Sequence, residues 1–318
     1  MRPLATARRS RAKPDNKRIA HAALRKYTDT LIDFARQVCL HCCDMKNNIT
    51  NAALLAADEP APFTVFNQAS SVPLLLLCDH AGALLPRALG TLGLGASTLQ
   101  SHLALDIGAA EVTRQLATRF QATAILGNYS RLAIDLNRDL CSTDAFLEFS
   151  DGVTIPGNQD LSHAQRQARV QALYQPYHSQ VEQQLQRIRA AGAAPTVVSI
   201  HSFTPVLDGV FRPWELGVLW NRDPHTAQHF VDALSADGYL VGDNQPYSGK
   251  ELKGYTVEHH TAGTDVPHVL LEIRQDLLVQ PAVLAGIVAS LERIVRNLLP
   301  QQQNSEQVPC TSPNPDSP

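Results

Sequence analysis

Three apolar runs constrain this chain most: residues 72–78, 196–200 and 266–271, which lead into Asp79-His80, His201 and Glu272. Short, near-continuous apolar runs read as buried strands of a parallel sheet. The carboxyl ends of such strands line the ligand crevice of an open α/β fold. Two imidazoles and a carboxylate delivered to one sheet edge can hold a metal and activate a water. Glu272 lies in Leu270-Leu271-Glu272-Ile273-Arg274, where a carboxylate is costly unless paired or functional. Side chains two apart share a strand face, so an ion pair with Arg274 is one reading. The other is a general base whose pKa is raised by desolvation.

Between these runs, helical and strand patterns alternate. Ser97-Thr98-Leu99-Gln100 has the form of a capping box and predicts one long helix to Phe120. A strand is expected over 122–126, and a helix over 161–191 that Pro176 kinks or breaks and Gly192 closes. Residues 216–220 read as a strand. Asp223-Pro224 reads as a helix start, Gly238 as its end, and 281–299 as the closing helix. This alternation argues a mostly parallel sheet with helices on both faces. No phosphate-binding glycine loop and no Gly-x-Ser-x-Gly elbow is present.

The 318 residues, 44% hydrophobic and 18% charged, suit a globular protein of one large α/β domain or two small ones. A net charge of -3 argues against nucleic acid or an anionic membrane as partner, and no apolar run is long enough to span a bilayer. Six cysteines without scaffold spacing point to a reducing compartment, the cytoplasm. Residues 1–52 are expected to form a basic N-terminal tail, flexible or partly helical, with Met45 an alternative start. Residues 53–300 form the catalytic domain, and the Gln-, Asn-, Ser- and Pro-rich residues 301–318 a disordered tail. Cys39, Cys42 and Cys43 fit no zinc-site spacing.

Further polar residues complete the candidate site. His102 and Asp106 are four apart, so on a helix they share a face, and Asp106 offers an oxygen ligand. Asp79 either orients His80 or accepts loop N–H groups. Arg131, Asp135, Asn137 and Arg138 lie close together. Guanidinium groups recognise carboxylates through paired hydrogen bonds, though one of these two arginines can equally form an internal pair with Asp135. Asn244, Tyr247 and His260 lie in loop-like sequence that can cover the crevice.

The motifs CDHAG (78–82), HLALDIGA (102–109), YSRLAIDLNRDL (129–140), PYH (176–178), IHSFTP (200–205), RPWELGVL (212–219), DNQPYS (243–248) and LLEIRQDL (270–277) resemble those of the N-formylglutamate amidohydrolase family, over roughly residues 53–300. The resemblance implies a three-layer α/β/α sandwich with a mixed, mostly parallel sheet, like the zinc-dependent exopeptidases. It implies a divalent metal, zinc, held by His80 and His201, and hydrolysis of N-formyl-L-glutamate to formate and L-glutamate in histidine degradation. Glu272 becomes the catalytic acid–base group, Arg131 the oxyanion stabiliser, and Arg138 with Asn137 the grip on a substrate carboxylate, with Asn244 and Tyr247 as further substrate contacts. Carboxypeptidase-like enzymes carry a glutamate ligand three residues after the first histidine; Ala83 stands there in this chain, which leaves Asp106 as the expected carboxylate ligand. Gln245 replaces a glutamate expected in the Asn-x-Pro-Tyr-Ser loop. Two other readings keep the fold: a deacylase of another N-acyl amino acid, and a non-catalytic carboxylate-binding protein.

Overall fold

The computed structural model describes residues 53–251 and 255–299. The expected N- and C-terminal tails, including the cysteine group at 39–43, lie outside the described residues. Of the strands, β1 is Phe63–Phe66, β2 Leu74–Cys78, β3 Thr123–Gly127, β4 Phe149–Ser150, β5 Val153–Thr154 and β6 Thr196–Phe203. They continue as β7 Val206–Leu207, β8 Val210–Phe211, β9 Leu216–Leu219, β10 Val241–Asp243 and β11 His268–Arg274. The helices are α1 Ala96–Leu99, α2 Ala109–Phe120, α3 His163–Arg169, α4 Gln175–Ala190, α5 Pro224–Ala236, α6 Tyr255–His260, α7 Gln275–Leu278 and α8 Pro281–Leu298.

Seven strands form one sheet in the order β1-β3-β2-β6-β11-β9-β10. The pairs β2–β3, β2–β6, β6–β11 and β9–β10 are parallel; β1–β3 and β9–β11 are antiparallel. Alternate residues of each strand feed two cores. Leu74, Leu76, Val198, Ile200 and Leu271 pack on α2, α5 and α8. Leu75, Leu77, Val197 and Leu270 pack on α4 and α6. This is the expected three-layer α/β/α sandwich with a mixed sheet. Strands buried on both faces need apolar residues at every position, which is why they read as unbroken runs. Two small hairpins, β4–β5 and β7–β8, lie outside the sheet.

Local signals that hold include Asp223, whose side chain accepts from Thr226 N at the start of α5, with Pro224 in its first turn. The helix expected over 161–191 stays helical from His163 to Ala190, and the irregularity ahead of Pro176 is a π-turn at Val170–Tyr174. Proline lacks an N–H and its ring crowds the preceding turn, which the wider turn accommodates.

One expectation fails. The helix drawn from Ser97 to Phe120 is interrupted: α1 ends at Leu99, and α2 starts at Ala109 after Gly108 in a left-handed conformation, φ 85°. In between, Asp106 N donates to His80 O at 3.0 Å. That bond pins residue 106 to the end of β2 and replaces the helical hydrogen bond the pattern suggested. His102 and Asp106 therefore do not share a helix face.

His178, the last residue of the Pro-Tyr-His motif, ties α4 to the loops above the sheet. Its Nε2 donates to Leu136 O at 3.0 Å, and its Nδ1 lies 2.9 Å from His260 Nε2. Burial, reinforced by His260, pushes His178 down to about 3. The unfolded chain takes up this proton near the ordinary value of about 6.5. The stabilisation is thus complete above that value and is lost as pH falls toward the folded one. The stability gap between wild type and His178→Gln, measured by urea unfolding, should shrink by roughly 1–2 kcal/mol from pH 7 to pH 5. A gap independent of pH would refute this linkage.

Candidate metal and active site

The carboxyl ends of β2, β6 and β11 converge as the apolar runs predicted. In the parallel register His201 pairs with Glu272, so the two side chains stand next to each other on one face. His80 follows the end of β2, and its ring centroid is 5.0 Å from that of His201. Asp106 lies between them. Its Oδ2 is 2.7 Å from His201 Nδ1 and 3.3 Å from His80 Nδ1. One ligand atom from each of His80, Asp106 and His201 falls within 4.8 Å of the others, and all three residues are buried.

The outer nitrogens are held as well. His80 Nε2 donates to Asp135 Oδ1 at 2.7 Å, and His201 Nε2 to Asp79 Oδ2 at 3.0 Å. A carboxylate behind each imidazole fixes the tautomer that turns Nδ1 inward and makes it a stronger donor to a cation. Asp79 therefore serves His201 rather than its neighbour His80. It is held in turn by Tyr177, whose hydroxyl donates to Asp79 Oδ1 at 2.7 Å. Gly127 lets this corner close, since a Cβ there would lie 2.3 Å from Asp79 O.

Charge decides whether this cluster suits a cation. Arg131 donates from Nε and Nη2 to Asp135 Oδ2 at 3.1 and 2.6 Å, and its Nη1 is 3.7 Å from Asp106 Oδ1. Three buried carboxylates (Asp79, Asp106, Asp135) against one guanidinium leave two negative charges when the imidazoles are neutral. A divalent cation balances that charge, and so do two imidazole protons. Burial opposes charge on His201, but hydrogen bonds to Asp106 and Asp79 outweigh it and push the group up to about 10. His80 is raised against burial and Arg131 by Asp135 and Asp106. Asp106 and Asp135 are held below the usual carboxylate range despite burial, by the imidazoles and, for Asp135, first by Arg131. The two-His, one-Asp set matches zinc chemistry.

Glu272 behaves differently. Burial pushes it up to about 7, and its Oε2 has no hydrogen-bond partner among the described residues. The ion pair considered with Arg274 is not formed: Arg274 binds Asp276 and the carbonyls of Pro213 and Trp214. A buried, unpaired carboxyl poised near neutrality suits general acid–base work.

These groups line a cavity of about 180 Å³ together with Asn137, Arg138 and Tyr247. Asn137 Oδ1 accepts from Thr256 N, which anchors α6. Arg138 gives Nη1 to the Asn137 carbonyl, and its Nε has no partner among the described residues. Asn244, expected at the substrate, is not among the lining residues. Its Oδ1 accepts from Trp220 N and Gly249 N, so it ties its loop to the end of β9. His102 also lines the cavity, with Nε2 3.3 Å from Asp151 Oδ2. Sequence reasoning missed Tyr177 and the apolar lining by Leu103, Leu147, Phe203 and Leu207. The Pro-Tyr-His motif was the available signal for Tyr177; the apolar residues carry none.

Tyr177→Phe should fold normally, keep its ring packing, and lower zinc affinity roughly 10-fold by freeing Asp79. Chelator competition measures this; an unchanged affinity would show that Tyr177 only packs.

The comparisons agree with this geometry. A family model described as N-formylglutamate amidohydrolase matches residues 72–279. Among solved structures, a gene product of Agrobacterium tumefaciens is 37% identical, with a TM-score of 0.73 over 77% of this chain and 97% of that one. An N-formylglutamate amidohydrolase from Ralstonia eutropha JMP134 is 18% identical, with a TM-score of 0.56 over 75% of this chain and 97% of that one, a likeness of fold. A comparison with curated proteins found no match. With its family motifs assembled around one cavity, the chain belongs to the N-formylglutamate amidohydrolase family.

Proposed function

We propose that this protein is a metal-dependent amidohydrolase that cleaves N-formyl-L-glutamate to formate and L-glutamate, the reaction its family's description names. The observation that carries the reading is the pair of facing features in one cavity: the His80–Asp106–His201 donor set and the unpaired carboxyl of Glu272. His80, His201 and Asp106 would hold a divalent ion, zinc by donor type. Such an ion supplies Lewis acidity and lowers the pKa of water.

The remaining work falls to side chains. Glu272 takes a proton from the attacking water and returns it to the departing amine nitrogen as the carbon–nitrogen bond breaks. Arg131, fixed by Asp135, supports the oxyanion; removing a donor of this kind typically costs on the order of 100- to 1000-fold in turnover. Arg138 and Asn137 receive the substrate's α-carboxylate. Tyr247 closes the cavity over the substrate. No helix among the described residues is long and apolar enough to cross a membrane.

A second reading, another N-acyl amino acid, is favoured by one feature. Arg131 is engaged by Asp135, which leaves Arg138 as the less committed guanidinium of the described lining. Leu103, Leu147, Phe203 and Leu207 add an apolar wall. A γ-carboxylate would then lack a guanidinium of its own.

Metal analysis of the purified protein and a panel of formyl, acetyl and succinyl amino acids test both. About one zinc per chain and fastest cleavage of N-formyl-L-glutamate are expected; preference for a substrate with an uncharged side chain would transfer the assignment to the second reading. Glu272→Gln should retain the metal while turnover falls by at least ~100-fold. Full activity in that variant would remove Glu272 from the mechanism.

A further inference from the structure

Arg212 opens the Arg-Pro-Trp-Glu-Leu-Gly motif and stands behind the cavity lining rather than in it. It is 7% exposed, an uncommon place for a guanidinium without a carboxylate. Its Nε donates to Thr204 O at 2.9 Å, and Nη2 donates to the same carbonyl. Its Nη1 donates to the Tyr247 hydroxyl at 2.7 Å. The guanidinium plane also lies over two rings, 5.0 Å from the Phe203 centroid and 5.2 Å from that of Tyr247.

A guanidinium nitrogen only donates, so the phenol oxygen must accept from Arg212. The phenol hydrogen is then left to another acceptor, and among the described residues none is hydrogen-bonded to it. Tyr247 lines the cavity and stands close enough to Glu272 and Arg131 for both charges to act on it. Its backbone is fixed independently. Asn244 N donates to Val218 O, and Gln245 O packs so tightly on Gly217 that a Cβ there would lie 2.0 Å away. The loop sets where Tyr247 stands, and Arg212 sets which way its hydroxyl points.

We infer that Arg212 is a positioning residue that forces the Tyr247 hydroxyl to donate its hydrogen into the cavity, onto the bound N-acyl amino acid. The inference rests on the proposed function for the identity of that ligand. A phenol that accepts from a cation is also a stronger donor, because hydrogen bonds in a chain polarise one another. Lysine cannot replace the arginine: it lacks the planar fork that reaches Thr204 O with two nitrogens and Tyr247 with a third.

A double-variant cycle on the zinc-loaded protein tests this. It has two readouts: kcat/KM for N-formyl-L-glutamate, and the calorimetric Kd for L-glutamate, which needs no turnover. Tyr247→Phe and Arg212→Met should each weaken kcat/KM by roughly 10- to 100-fold, the scale of one hydrogen bond to a charged network. The double variant should lose no more than the worse single one. Arg212→Lys should behave like Arg212→Met, and it takes its place if the methionine variant does not fold. Losses that multiply in the double variant, or a Tyr247→Phe protein with wild-type kinetics and binding, would overturn the inference. A wild type that binds L-glutamate but turns over no N-formyl substrate would count against the proposed function alone, and the cycle on Kd would still decide the role of Arg212. A wild type that neither binds nor cleaves would overturn both.

Discussion

The alternation of carboxylate and imidazole from Asp79 through His201, Asp106 and His80 to Asp135 and Arg131 is the interaction on which the site depends. Each member is buried or nearly so, and each is charged or charge-balancing. Removing one member of a buried ion pair typically costs about 3–5 kcal/mol, because its partner is left uncompensated. A lattice of five or six such groups survives inside a protein only if its total charge is closed. Two imidazole protons close it, and so does one divalent cation. The same geometry can therefore be balanced by protons on His80 and His201 or by one divalent ion held among His80, Asp106 and His201.

The sheet sets the middle of this arrangement, and the segments that follow β2 and β3 bring the remaining groups to it. His201 and Glu272 are register partners on adjacent parallel strands, so their spacing is set by strand separation and not by side-chain choice. Asp79 continues the face of Leu75 and Leu77, which brings it under the Tyr177 hydroxyl on α4. Close backbone approach does the rest. Gly127 admits the Asp79 carbonyl on one side of the site, and Gly217 admits the Gln245 carbonyl on the other. Any larger residue at either position would push a functional loop outward, so these glycines shape the site without touching a ligand.

How much of this was legible in the sequence follows from which interactions are local. The strand ends bearing His80, His201 and Glu272 could be read because burial on both faces of a parallel sheet writes itself into consecutive residues. Asp106 was found as a residue but in the wrong conformation. A helical pattern runs through it, and the bond from its N–H to His80 O is long-range and leaves no periodic trace. The exchange of partners, with Asp79 serving His201 and Asp135 serving His80, was hidden for the same reason. Asn244 shows a different limit. A polar residue in a loop near the crevice suggested a ligand contact, while its oxygen accepts from Gly249 N in the same loop and from Trp220 N at the end of β9, long-range work that the sequence does not display.

The arginines show how identical side chains acquire different uses from their surroundings. Arg131 is gripped by Asp135 through two nitrogens and held above its ordinary pKa against burial, so it is a rigid, fixed charge. Such a group suits a developing oxyanion, where preorganisation matters more than adaptability. Arg138 gives Nη1 to the Asn137 carbonyl, and its Nε is without a partner among the described residues, so no carboxylate there has claimed it. Arg212 has exchanged a carboxylate partner for a carbonyl, two aromatic faces and a phenol. The carboxylates around His80 and His201 thus draw on the guanidinium charge nearest them, since Arg131 is bound to Asp135, and Arg138 is the less committed cation of the described lining.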